Sequence, residues 1–548
     1  MSLGRTPKVG DVSRSTKAYC EERLSPTSIY RLLHDEGARL FPDDAFADLF
    51  QDVGRRSIPP RIVAVVMVLQ RLEGLSYREA VDRFSFDVRW KYAAGGLDFE
   101  YPGFVHTVLV EMRERLRWSR DPDRIFNRVL EVAKEAGLVG RRRVLDSTPL
   151  YDAVATQDTV TMIRSAIRGL LCAAKEPLAS ELRQSLKRDD DYSTAGKPTC
   201  DWDDVAAREA LVDALARDAY AQLALLEGRA LEARISDAAK LLATVVGQDL
   251  EQTEDGTFRI ARRVAADRVI STVDPEARHG HKTAARGFDG YKGHIAIDPD
   301  SELITSSEVT PANVADGKVA KELLEEVLPP VEPSDSTEQA VSDADLVVPD
   351  DAPQAAPAEH VEVYGDSSYG TADVLKHLAK AGAAANVKVQ PPVAPDGIFS
   401  KSKFRIDLTS DTVTCPAGVL VQIRRSKDGS GLASFGASCR QCPLASSCTK
   451  NKQGGRNITV HKDEALLQSA RNAQQDPAWR ANYRATRPKV ERKLAHLMRR
   501  RHGGRRACVQ GTERVARSFA MLCAAVNLNR LAALGLHLDP SAASSWVA

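Results

Sequence analysis

The order of hydrophobic periodicities predicts an α/β fold: a mixed-sheet core with a helical N-terminal domain, a helical insertion and a Cys-containing β-rich insertion. Three observations carry that expectation. The run "VEVYGDSSYG" leads into a helical segment and then "AANVKVQ", and a strand, helix, strand unit requires a parallel pair with a right-handed crossover. "FDGYKGHIAID" and "ELITSSEVT" are strand-like runs joined by the turn-forming "PDS", a hairpin signal. Long helical, strand-poor stretches lie before about residue 140 and from about Val160 to Arg262.

Taken in order, residues 1–140 form the helical N-terminal domain, a candidate DNA-binding unit. Pro59 and Pro60 introduce an apolar-periodic stretch from Arg61 to Leu72, Gly74 breaks it, and Ser76 with Glu79 makes a capping box. Helix, short turn, helix fits either a DNA-reading motif or an ordinary helical hairpin. The core is expected from 141–158, 265–328 and 361–394. In it, Val144 and Leu145 mark a short buried strand ending at Asp146, and a helix runs from about Ala315 to Val327. Asp366 falls at the carboxyl end of a parallel strand, where open α/β sheets bind ligands. Thr371 caps the next helix, Val374, Leu375 and Leu378 turn inward, and Gly382 stops it. Residues 159–264 are the helical insertion. The acidic stretch 329–360 has little to bury and reads as a flexible linker, and 395–475 as the Cys-rich β insertion. Asp476 and Pro477 cap and open the C-terminal helices of 476–535, whose last helix turns Val515, Phe519, Leu522 and Val526 inward, and 536–548 is a tail.

A chain of 548 residues with 43% hydrophobic and 28% charged residues has ample material for a core. Its net charge of +1 conceals segregation. Acid gathers in the linker, while base gathers in "GRRRVLD" and "RPKVERKLAHLMRRRHGGRR", so one face can be strongly positive and suited to nucleic acid. The amino terminus lacks an apolar signal core, and the longest apolar run, "IVAVVMVL" from Ile62, is too short to span a bilayer. The expected location is cytoplasmic, with no membrane partner. Nine mostly scattered cysteines in a reducing compartment argue against a disulfide scaffold.

Three acids carry the chemistry. Asp146 ends "RRRVLD", Asp366 ends "VEVYGD", and Glu491 sits in a basic helix beside a Val490, Leu494, Leu497 stripe. Two aspartates and a helical glutamate supply the oxygens that a pair of Mg2+ or Mn2+ ions needs, and such a site breaks and forms phosphodiester bonds by in-line attack. Arg487 shares the Glu491 face if the helix already includes it.

These residues resemble bacterial insertion-sequence transposases of the DDE class, with an RNase H-like catalytic core. "LQRLEGLSYREAV" is similar to the InsH-type N-terminal domain, and "STVDPEARHGHK", "FDGYKGHIAID" and "YGDSSYG" are similar to the core. The family's third block often reads Tyr, two residues, Arg, three residues, Glu, six residues, Lys. Arg487 and Glu491 fit, whereas Tyr483 stands one place early with Arg484 in its slot, and Met498 replaces the Lys beside Arg499. The resemblance implies that Asp146, Asp366 and Glu491 bind two Mg2+ or Mn2+ ions. It also implies that Arg487, with Arg484, Tyr483 and Arg499 around the departing slots, contacts DNA phosphates. The substrates are double-stranded element ends and target DNA, handled by a homodimer on DNA. The first and fourth strands of such a core are neighbours, which would join Asp146 to Asp366. A domesticated DNA-binding regulator and an RNase H-like nuclease that cuts without joining are the alternative readings.

Cys415, Cys439, Cys442 and Cys448 include one pair with zinc-chelate spacing, so a structural Zn2+ and a set of small buried thiols both remain open. His279, His281 and His294 read as surface or strand-face histidines rather than a metal trio.

Overall fold

The computed structural model describes residues 15–51, 54, 56–152, 154–190, 192–283, 285–328, 360–394, 397–451, 453–538 and 546–547. The N-terminal region packs α1 (Ile29–Leu40), α2 (Pro60–Glu73), α3 (Tyr77–Phe86), α4 (Thr107–Trp118) and α5 (Arg124–Glu135). The capping box forms: Ser76 N–H donates to Glu79 Oε2 at 2.8 Å and Glu79 N–H to Ser76 Oγ at 3.3 Å. Gly74 ends α2 at φ +66°, and a Cβ there would lie 2.5 Å from the Arg501 carbonyl oxygen, so only glycine lets that segment approach. Every residue of α2 from Ile62 to Leu72 is buried, the mark of a central core helix.

β1 (Arg142–Tyr151) is followed by α6 (Thr159–Ala173), α7 (Val205–Leu226) and α8 (Ala233–Asp249), which share an apolar cluster of their own. β2 (Arg278–Thr283), β3 (Arg286–Ile297), β4 (Ile304–Pro311) and a short α9 (Ala320–Leu324) follow, then β5 (Glu362–Gly365), α10 (Ala372–Lys380) and β6 (Ala384–Val387). The helix expected from Ala315 to Val327 is only a 3-10 turn, Asp316–Val319, leading into α9. The acidic stretch read as a linker lies outside the described residues, except for His360.

The main sheet runs β4-β3-β1-β5-β6, with β2 also on β3. β1 and β3 are antiparallel from Val144↔Ile297 to Tyr151↔Gly290, and β1 and β5 are parallel through Arg142↔Glu362 and Val144↔Tyr364. β1 and β5, the strands that lead to Asp146 and Asp366, are thus neighbours, as the family resemblance implied. β1 corrects one expectation, since it continues past Asp146 to Tyr151. Pro149 lacks an N–H, but Tyr151 N–H points away from β3, to Arg505 O at 2.8 Å. With alternation every two residues, the missing donor of Pro149 faces that same edge and costs the β1–β3 ladder nothing.

One sheet face, with Val144, Leu150, Ile295 and Tyr364, joins the N-terminal helices and α13 (Thr512–Leu534) in the largest core. The other, with Leu145, Ala296 and Val363, is covered by α9 and α10. Residues 405–460 form a separate antiparallel meander of five short strands, as the Cys-containing β insertion predicted. Asp476 caps α11 (Pro477–Thr486), accepting from Ala478 N–H, and α12 (Pro488–Leu497) follows after Arg487. Among the described residues no helix is long and apolar enough to cross a membrane.

Candidate active site

Strand register places the first two acids. Asp146 lies two residues past Val144 and Asp366 two past Tyr364, and because Val144 pairs with Tyr364, both side chains leave the same sheet face. Asp146 stays in β1, its Oδ1 accepting from Ser147 N–H at 2.8 Å. Asp366 sits just beyond β5, its Oδ1 accepting from Ser368 N–H at 2.9 Å in the turn that leads to α10.

The helical half comes from α12, which lays Val490, Leu494 and Leu497 into the core as the stripe predicted. Glu491, on the adjoining edge, is 64% exposed. Arg487 sits at the junction of α11 and α12, and its buried guanidinium gathers all three acids. Nη2 lies 3.0 Å from Asp146 Oδ2 and 4.0 Å from Asp366 Oδ2, while Nη1 lies 3.6 Å from Glu491 Oε1. Burial pushes the Asp146 carboxyl above its usual range, opposed chiefly by Arg487. The guanidinium itself is incompletely satisfied, because buried Nε and Nη1 have no hydrogen-bond acceptor. A phosphate oxygen is the acceptor this geometry suits.

Among the described residues no group of three or more His, Cys, Asp or Glu side chains is spaced to hold a metal ion. The acids are spread round the Arg487 cation rather than closed into a ready two-ion cage. Their donors are nevertheless the hard carboxylate oxygens that Mg2+ takes, and they converge on one positive charge.

The remaining expected contacts divide. Tyr483 donates its hydroxyl to the Gly365 carbonyl at 3.1 Å and stacks on Trp479, which ties α11 to the end of β5. Arg484 is exposed on α11, and Arg499 is exposed just beyond α12. Arg499 is eight residues past Glu491, about two helical turns away. Arg500, Arg501, Arg505 and Arg506 are exposed with it, on a segment pinned to the end of β1 by hydrogen bonds between Tyr151 and the backbone of Arg505 and Ala507.

The four cysteines do meet, lining one small cavity of about 20 Å³ beside Phe404 and Phe435. Their sulfurs are not at metal-bonding spacing, and Cys439 Sγ accepts from Arg456 N–H at 3.4 Å. The zinc expectation for Cys415, Cys439, Cys442 and Cys448 therefore finds no preformed site. Of the three histidines, His279 pairs with Asp289 at 2.6 Å on the surface, His281 packs edge-on to it, and His294 is buried on its strand against Thr310 and Tyr369.

Sequence reasoning missed a second layer. Ser147 Oγ donates to Asp316 Oδ2 at 2.6 Å, and Lys292 Nζ pairs with Asp316 Oδ1 at 2.9 Å, bracing β1 beside Asp146. Nothing in local spacing marks Asp316.

Two family models match the chain. A model described as "Transposase domain (DUF772)" covers residues 20–115, and one described as "Transposase DDE domain" covers residues 414–532. The second includes Arg487 and Glu491 but begins after Asp146 and Asp366. No curated protein matches the chain, and no solved structure does. Transposase models matched at both ends of a mixed α/β fold indicate an insertion-sequence transposase of the DDE class.

Proposed function

We propose that the protein cleaves the ends of its element and joins them to target DNA at Asp146, Asp366 and Glu491. The observation that carries this reading is the convergence of three acids, from two neighbouring strands and a packed helix, on the guanidinium of Arg487. Bound Mg2+ or Mn2+ would supply Lewis-acid activation and an in-line clamp at the reacting phosphate. Asp146 and Asp366 would be the inner ligands, the first held within β1 and the second at the turn that ends the neighbouring β5. Glu491, on an exposed helix edge, would close the set from the other side. Arg487 would exchange its carboxylates for a phosphate oxygen, which gives Nε and Nη1 the hydrogen-bond acceptor they lack and steers the scissile bond to the acids. The exposed Arg484 and Arg499 to Arg506 would hold the duplex by its backbone, without reading bases.

The direct test incubates purified full-length protein with the DNA flanking its own gene, with and without Mg2+. Nicking at the element end followed by joined product supports the reading. Nicking without joining would favour an RNase H-like nuclease, and binding alone a DNA-binding regulator.

A further inference from the structure

Buried Arg71 and half-buried Arg113, neither with a carboxylate partner, face one cavity between the N-terminal helices and α13. The cavity, about 480 Å³, is walled by Met67, Tyr77 and Leu116 on one side and by Val509 and Met521 on the other. Arg71 is 9% exposed, and its Nε and Nη1 donate to the backbone carbonyls of Ser518 at 3.2 Å and His502 at 3.1 Å. Arg113 donates from Nη2 to Gln70 Oε1 at 3.0 Å, and its buried Nε has no acceptor. At the rim, Arg117, Arg514 and Arg517 each pair with a glutamate or aspartate. Among the described residues neither Arg71 nor Arg113 has such a partner.

A guanidinium withdrawn from water without a counter-charge is costly, and two beside one cavity repel each other as well. Burial accordingly pushes both groups below their usual range, although arginine stays charged. Hydrogen bonds to carbonyls and an amide supply acceptors but no negative charge. A fold that keeps this arrangement is complete when a ligand brings the charge in. The fork of N–H donors suits phosphate. The volume is that of a small-ligand pocket, with apolar walls from Met67, Leu116, Val509 and Met521 beside a polar rim that includes Glu79 and Glu114, and the Tyr77 ring centroid lies 5.5 Å from the Arg113 guanidinium carbon.

We infer that this cavity binds a phosphate group carried on an apolar or aromatic body, the chemistry of a nucleotide, either free or as the terminal unit of a DNA strand. The site is separate from the three acids and stands whether or not they cleave DNA. It lies at the seam between the two segments that match transposase models, so its occupant would lock the N-terminal helices onto α13.

The test titrates full-length protein with dAMP by calorimetry and follows the thermal midpoint, alongside Arg113→Met. Arg113 is chosen because its one described hydrogen bond goes to a side chain, so the variant should fold. Expected is saturable binding that raises the midpoint by a few degrees in the unaltered protein and is lost in Arg113→Met. The variant without ligand should melt no lower than the parent, because it sheds an uncompensated charge. A 5′-phosphorylated oligodeoxynucleotide that displaces dAMP identifies a strand end as the source, and failure to displace it identifies a free nucleotide. No binding of dAMP, equal binding by Arg113→Met, or a markedly less stable ligand-free variant overturns the proposal. Metal-dependent nicking, measured separately, reports on the acids alone.

Discussion

Arg487 and Asp146 form a buried ion pair at the centre of the candidate site, with Nη2 and Oδ2 3.0 Å apart and side chains 8% and 14% exposed. The arginine is the cation on which the three carboxylates gather. Arg487→Ala should therefore lower stability by up to about 3 kcal/mol, toward the low end for a broken buried pair because Asp366 and Glu491 are more open to water. Added Mg2+ should raise the thermal midpoint of the variant more than that of the parent. Equal Mg2+ responses would remove Arg487 from its role as stand-in cation.

Asp146→Asn, Asp366→Asn and Glu491→Gln keep side-chain size and remove charge. Each should reduce strand cleavage by at least about 10²-fold while leaving DNA affinity within a few-fold, since none belongs to the exposed basic segment. Nicking of a labelled element end, with binding followed by anisotropy, separates the two effects. A purified variant that cleaves near normally takes its residue out of the site.

The parts of this arrangement that were legible in the sequence are those set by local rules. The Thr371 cap, the left-handed Gly382 and the α12 stripe of Val490, Leu494 and Leu497 all depend on neighbours within a few residues. The length of β1 was not legible, because Pro149 reads as a stop until its partner strand, about 140 residues on, shows which edge its missing donor faces. Arg487 was identifiable by spacing from Glu491, yet its place among all three acids is a tertiary fact. Asp316 carries no local signal at all, as it becomes significant only when β1 brings Ser147 beside it.

The exposed arginines after α12 make a separate prediction. Replacing Arg499 and Arg500, or Arg505 and Arg506, with alanine should weaken binding to specific and unrelated duplexes alike. It should also reduce the slope of log affinity against log salt by about 0.9 for each phosphate that the variant no longer neutralises. Weakening confined to element-end DNA would mean that these side chains read bases.

Asn527 joins the C-terminal helix to the sheet. Its Oδ1 accepts from Ile304 N–H at 2.9 Å and its Nδ2 donates to Ile304 C=O at 2.7 Å, all in the interior. Asn527→Leu fills the space but strands both backbone groups, at a cost of about 2–4 kcal/mol. The urea midpoint of the first unfolding transition should fall accordingly. An unchanged midpoint would mean that water or a shifted helix satisfies Ile304.

His294 should make the core acid-sensitive. It is fully buried on β3, and burial lowers its pKa from about 6.5 to about 4, with Lys292 adding to the shift and Asp316 opposing it. Between those values the unfolded chain takes up a proton that the folded chain refuses. Stability is therefore intact above about pH 6.5 and falls as pH drops toward 4. A shift of that size corresponds to about 3 kcal/mol at the lower limit. His294→Gln keeps hydrogen-bonding capacity toward Thr310 and Tyr369 but cannot titrate. Its denaturation midpoint should decline less steeply than the parent's across this window, with the two curves converging in slope near neutrality. Parallel curves throughout would show that other groups, such as His496, whose pKa is also lowered to about 4, account for the acid response.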